Sequence, residues 1–325
     1  MAQPIDSFKQ FHYGLRPSKQ VERKIMIEVL HRLSKAGYDI SDYIYLGFGS
    51  VYYVDFLMFH KYLFINSMVC VERSNVEKRM RFNKPYKFIK LKMGALFNYI
   101  PNIRRTKKHL VWLDYDRSLD QEMLQDIDGC LNRLAPQSIF VITIDARPKL
   151  SKDLFEFDIE DMAAEDREKL TVEKYQEWFG GYVEEEITLD TIARKQVAPL
   201  FYEAVVERIR QTLSRRSGGL RFSQIFNCIY QNGAPMFTIG GIIGTEEDKE
   251  ALRKCGILEH KFVRTSSECL KISVPPLTIR EKYWLDSKLD DKLTAAKLQF
   301  ELEEELLDNY RKFYKEYPTY MESLL

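Results

Sequence analysis

The sequence predicts a doubly wound α/β protein on a mostly parallel sheet. Three observations point there. Short, almost wholly apolar runs alternate with helical patterns through the first 145 residues. Each run stops at a glycine or a charged residue. A later pair of apolar runs, Phe222 to Tyr230 and Met236 to Ile243, is joined by a turn containing Asn232-Gly233, a hairpin signal. Strands that are apolar throughout belong to a sheet covered on both faces.

The elements follow in order. Ser18 to Ala36 has the spacing of a helix, with Ile25, Val29, Leu30 and Leu33 on one face, Ser18 as its expected cap and Gly37 as its end. Tyr43 to Leu46 is strand one, halted by Gly47-Phe48-Gly49-Ser50, and Tyr52 to Leu63 suits the next helix. Ser67 to Val71 is strand two, ending at Glu72-Arg73; Asn75 to Asn83 is helical; Phe88 to Leu91 is strand three, ending near Met93-Gly94. His109 to Leu113 is strand four, running into Asp114-Tyr115-Asp116. Ser118 to Leu134 is an amphipathic helix, and Ser138 to Ile144 is strand five, ending at Asp145.

Past Pro148 the pattern changes. Residues 151–190 are acidic and lack long apolar strands, which predicts a helical insertion that could close over a site. Val197 to Leu213 is a helix, residues 246–255 look helical, and 278–325 form a charged, Leu-spaced helical tail. The expected organisation is an N-terminal helical segment (1–39), a Rossmann-like domain (40–245) with its insertion at about 150–200, and a mostly helical extension (246–325).

Composition narrows the function classes. At 325 residues, 45% hydrophobic and 30% charged, the chain has material for a large core and is not a disordered one. No apolar run is long enough to cross a membrane, and the N-terminal MAQPIDSFKQ lacks a signal-peptide core, so a cytoplasmic protein is expected. Five scattered cysteines and five histidines show no ligand spacing, which argues against a metal centre built on them. The formal charge is only +1, yet residues 1–113 hold 20 Lys and Arg against 8 Asp and Glu. Such a basic segment suits an anionic ligand, a nucleotide or a nucleic acid, unless the acidic remainder folds over it.

In parallel sheets ligands bind beyond the carboxyl ends of the strands. Here those ends carry Gly47, Phe48, Gly49 and Ser50; Glu72 and Arg73; Met93 and Gly94; Asp114, Tyr115 and Asp116; and Asp145 and Arg147. Glycines let a cofactor approach the backbone, and a carboxylate at the tip of strand two can accept both hydroxyls of a ribose. Asp114 and Asp116 could remove a proton or, with Asp145, hold a divalent cation; Asp116 or Ser118 could equally cap the next helix. Arg16, Lys19 and Arg23 could meet an anionic group, or simply form a solvated helix face. Phe8, Phe11 and Tyr13 belong to an aromatic-rich start that suits a core or base stacking.

With these pieces in place, the chain resembles the class I S-adenosylmethionine-dependent methyltransferase superfamily over roughly residues 40–245. The resemblance rests on Tyr45-Leu46-Gly47-Phe48-Gly49-Ser50, Val69-Cys70-Val71-Glu72, Leu113-Asp114-Tyr115-Asp116 and the late hairpin. It implies a seven-stranded sheet with an antiparallel C-terminal hairpin. It further implies S-adenosylmethionine held over Gly47–Ser50, by Glu72 and near Met93-Gly94, and methyl transfer to an oxygen or nitrogen. The chain departs from that pattern at Tyr45, where an acid is common, and at Lys92-Met93-Gly94, where an acid often meets the adenine. A nicotinamide-binding Rossmann domain is the competing reading, but Tyr52 stands where its third glycine belongs. A second function class stays open: a methyltransferase-like module that binds a nucleotide or nucleic acid without methyl transfer. In that case residues 278–325 would meet a protein partner or a second copy.

Overall fold

The computed structural model of the chain describes residues 16–73, 75–149, 154–155, 162–193, 197–289 and 292–319. Phe8, Phe11 and Tyr13 lie outside the described residues. Helix α1 (Pro17–Arg32) leads to β1 (Ile44–Phe48), α2 (Val54–Leu63), β2 (Ser67–Glu72), α3 (Glu77–Asn83), β3 (Ile89–Met93) and α4 (Leu96–Tyr99). Next come β4 (His109–Ser118), α5 (Gln121–Leu131), β5 (Ile139–Asp145), α6 (Ala164–Phe179), α7 (Leu189–Ala193) and α8 (Ala198–Ser214). The chain closes with β6 (Arg221–Asn232), β7 (Ala234–Gly244), α9 (Glu246–Lys254), β8 (Leu270–Ile272), α10 (Ile279–Asp286) and α11 (Glu304–Phe313).

The strands form one sheet in the order β3-β2-β1-β4-β5-β7-β6-β8. β1 to β5 run parallel, and β7 is antiparallel to both its neighbours. There are eight strands rather than the seven implied. The eighth, three residues long, pairs with β6 at the edge and is too short to show a period in the sequence. The strand order reverses between β1 and β4, so the tips of these two strands flank a natural crevice.

Alternate residues on the central strands serve two cores, which is why those strands are apolar almost throughout. Tyr45 and Trp112 face one side, with Phe56 and Phe59 of α2, Met80 of α3 and the apolar stripe of α1. Leu46, Val111 and Leu113 face the other, with α5, α6 and α8. α1 begins one residue earlier than expected. Pro17 occupies its first turn, where its missing N–H costs nothing, and Ser18 lies inside the helix instead of capping it. Asp120, rather than Asp116 or Ser118, caps α5 by accepting from the Met123 amide.

Two expectations for the later chain change. The described part of the 151–190 insertion is a structural layer, since α6 buries Tyr175 and Phe179 against the sheet. The tail, expected to be helical, holds two short α-helices among its described residues, with irregular chain between them. Its apolar side is used within the chain: Leu307 and Tyr310 pack with Leu285, and Phe313 stacks on Phe262 at 5.8 Å.

His109, at the foot of β4, is buried, and its ring Nδ1–H donates to the Lys107 carbonyl at 2.8 Å. Burial, aided by the charge of Arg104, lowers its pKa to about 4. The unfolded chain therefore takes up this proton at about pH 6.5, before the folded one does. Stability from this residue is complete above pH 6.5 and is lost as pH falls toward 4. Denaturant titrations across that window should show His109→Asn losing about 3 kcal/mol less than the parent. Identical pH slopes would show that the ring is not held neutral.

Candidate active site at the tips of β1, β2 and β4

A cavity of about 420 Å³ opens at the carboxyl ends of the central strands. The first turn after β1 contributes Phe48, Gly49 and Ser50, the tip of β2 contributes Glu72 and Arg73, and Gly94 follows β3. Asp114, Tyr115, Asp116 and Arg117 come from β4, and Arg16, Lys19 and Arg23 from α1 and its cap. The expected residues Gly47, Met93, Asp145 and Arg147 are not among the lining. Asp145 is instead engaged by its neighbour, with Arg147 Nη2 at 2.5 Å and the Arg147 amide at 2.9 Å from the carboxylate.

The shape of β4 explains its four contributions. Its pairing with β5 runs regularly to Asp114–Thr143 and resumes only at Ser118–Asp145. A bulge here frees the tip of the strand and turns its side chains toward the crevice. Tyr115 is fixed in that position by its hydroxyl, which donates to Asp126 at 2.7 Å, and by edge-on contact with Phe48. Asp116 is exposed at the rim.

The floor of the cavity is ionic. Lys19 Nζ lies 2.8 Å from Asp114 Oδ1 and 2.8 Å from Glu22 Oε2, and it sits 4.3 Å above the Trp112 ring. Glu22 also accepts from the Thr238 hydroxyl, which is 2.7 Å from that of Thr143, itself the acceptor of the Trp112 indole N–H. Beside this chain, Arg23 Nε meets Asp55 Oδ1 at 2.5 Å. Burial opposes the charge on Lys19, but Asp114 and Glu22 outweigh it and raise its pKa above the ordinary lysine value. Burial raises the Asp114 carboxyl, joined by Asp55 and Glu22 and opposed by Lys19, so it binds a proton more readily than a surface aspartate. Oδ1 of Asp114 accepts from Lys19, while Oδ2 accepts no hydrogen bond from a described residue.

Sequence reasoning missed Asp55. Its signal was a lone carboxylate in the apolar run Val51-Tyr52-Tyr53-Val54-Asp55-Phe56-Leu57, where only a buried cation would justify one. Tyr53, at the cavity wall, adopts the left-handed region with φ 49°, and its hydroxyl donates to the Met80 carbonyl at 3.0 Å. Such a conformation costs a tyrosine about 1 kcal/mol and is retained only where its surroundings hold it. Among the described residues no three His, Cys, Asp or Glu side chains converge as a metal site.

The two glycines of the first turn have packing reasons. A Cβ on Gly47 would collide with the hydroxyl of Tyr45, which is buried edge-on to Phe56 and Phe59. A Cβ on Gly49 would lie 2.5 Å from Cys70 Sγ. The added atom thus points into the core, and not into cofactor volume as the turn pattern suggested. Gly49→Ala should cost about 1–3 kcal/mol of stability by overpacking. Adding Cys70→Ala should return much of it in a double-mutant cycle of denaturant unfolding. Strict additivity of the two changes would exclude this contact as the reason for the glycine.

Among solved structures, the chain is similar to the fibrillarin pre-rRNA processing protein of Methanococcus jannaschii at 10% identity and a TM-score of 0.36, covering 64% of this chain and 69% of that one. It is similar to Trm1 from Pyrococcus horikoshii, solved with S-adenosyl-L-methionine, at 10% identity and a TM-score of 0.40, covering 72% and 58%. The O-methyltransferase TomG from Streptomyces achromogenes matches at 12% identity and a TM-score of 0.35, covering 68% and 79%. No curated protein sequence matches significantly. The family described as "Putative O-methyltransferase" matches residues 11–325, nearly the whole length. The chain belongs to this O-methyltransferase family.

Proposed function

We propose that the protein is an S-adenosylmethionine-dependent methyltransferase acting on a hydroxyl oxygen of its acceptor. The observation that carries this reading is the convergence of the Gly49-Ser50 turn, the Glu72 carboxylate and the half-buried Asp114 carboxylate on one cavity. Family membership supports the chemistry and favours an enzyme over a binding module.

The lining fits the cofactor. The Gly49-Ser50 backbone lines the cavity, and Glu72 offers a carboxylate to the ribose hydroxyls. Gly94 is joined to the tip of β2 by its amide, which donates to the Glu72 carbonyl at 2.8 Å, and leaves room for a base. When bound, the cofactor supplies an electrophilic methyl group on a sulfonium. The protein's part is to position the acceptor and to take its proton. Asp114 is the base: burial raises its affinity for a proton, and Oδ2 is available to a hydroxyl while Lys19 holds Oδ1. Asp116 and Tyr115 shape the acceptor side, and Arg16 adds positive charge for an anionic group. Any partner or second copy at residues 278–325 would meet the charged side of the tail.

Titration calorimetry tests the cofactor assignment. Charge-assisted hydrogen bonds to a ribose diol are worth about 1.5–3 kcal/mol each, so Glu72→Ala should weaken S-adenosylmethionine binding at least about tenfold. Glu72→Gln should lie between that and the parent. Equal affinities for all three proteins would remove the ribose assignment.

The base is tested separately. Asp114→Asn should keep cofactor affinity and lower kcat by about 10²–10⁴. In the parent, kcat/KM should fall with acid through an apparent pKa above the ordinary aspartate value, a limb that the variant lacks. An unchanged acid limb in Asp114→Asn would assign the proton to another group.

A further inference from the structure

A dense run of positive charge lies along β3, the edge strand whose tip adjoins the cavity. Residues 77–92 hold seven Lys and Arg and a single acid, Glu77, in a chain whose formal charge is +1. The topology gathers this stretch in one place. β3 is the outermost strand on its side, α3 leads into it over one face of the sheet, and α4 leaves it over the other. Along β3, Ile89 is buried while Lys90 and Lys92 are exposed. Lys78 and Arg79 on α3 are exposed too.

Aromatic rings accompany the charge. Phe82 is 89% exposed and Phe97 is 69% exposed, the two most exposed large apolar side chains among the described residues. One ring stands on α3 and the other on α4, so they flank the basic strand from its two sides. Lysines on an edge strand also discourage sheet-to-sheet pairing, but that role needs charge on β3 alone. Here the charge continues onto α3.

We infer that this edge is a binding surface for single-stranded nucleic acid. The cations follow the phosphates, and the phenylalanines stack on bases whose faces a duplex would hide. The surface adjoins the cavity at Gly94, so a bound strand reaches the site described above. Binding itself does not depend on methyl transfer, and its test needs no cofactor.

Fluorescence anisotropy on the full chain would use labelled single strands of uridine and of thymidine, about 15 nucleotides long, a duplex of equal length, and phosphatidylserine vesicles. Either single strand should bind best, with affinity falling in salt by a log–log slope of about −0.7 per phosphate neutralised. The double variant Lys90→Glu/Lys92→Glu should lose at least about tenfold, and Phe82→Ala/Phe97→Ala at least about fivefold. The charge-matched control Lys254→Glu/Lys271→Glu, with Lys271 on the opposite edge strand, should keep its affinity. Thermal unfolding verifies that each variant is folded. No single-strand binding at about 50 mM salt would overturn the inference. So would an equal loss in the control, unchanged binding by the phenylalanine variant, or preference for duplex or vesicles. S-adenosylmethionine titration of the same samples separates failure of this surface from failure of the cofactor assignment.

Discussion

The cluster of buried Lys19 and Glu22 with half-buried Asp114 is the constraint on which the site depends. It joins α1 to β4 directly and to β7 through Thr238. Breaking such a cluster by removing one member typically costs about 3–5 kcal/mol, because it strands the remaining charges without water. Replacing all of it with apolar residues would be tolerated far better as packing. Its presence is therefore better explained by the cavity than by stability. It holds a carboxylate at the crevice with one oxygen engaged and the other turned to other uses, while the cation beneath keeps that carboxylate in a single orientation. Arg23 and Asp55 repeat the arrangement one helical turn further on, tying α1 to α2.

Much of this was legible in the sequence, and the reasons differ by element. Strands such as Ile139–Asp145 are buried at every position, so an unbroken apolar run announced them. The order of glycine, Glu72 and Asp114 at successive strand ends fixed the side of the sheet on which the cavity lies. The eighth strand stayed hidden because three residues carry no period. The inward role of α1 was only half visible. Lys19 and Arg23 were seen to share a face, but charge on a helix ordinarily means a solvated face, and only the fold shows Trp112 beneath Lys19. Asp145 misled for the opposite reason: a strand-end carboxylate looks available until its partner two residues away is seen.

The first glycine turn shows how one motif answers two demands. Tyr45 replaces an acid that the resemblance leads one to expect, and its ring fills the space that Gly47 leaves. The two residues explain each other, since a side chain at position 47 would exclude the ring. Gly49 is likewise fitted to Cys70. The cavity wall is thus set from behind, by core packing, as much as by what it faces.

The long reach of α1 has a consequence for biosynthesis. Glu22 and Thr238 are separated by 216 residues, and Ser18 bonds to the Gln231 carbonyl from almost as far. At about 5–20 residues per second, roughly 10–40 s of translation pass between the emergence of the helix and that of its partner. Through that interval α1 carries charged groups suited to burial and apolar residues awaiting cover. The cavity consequently cannot be completed until residue 238 has emerged, and contacts of such high sequence separation make slow folding the expected behaviour.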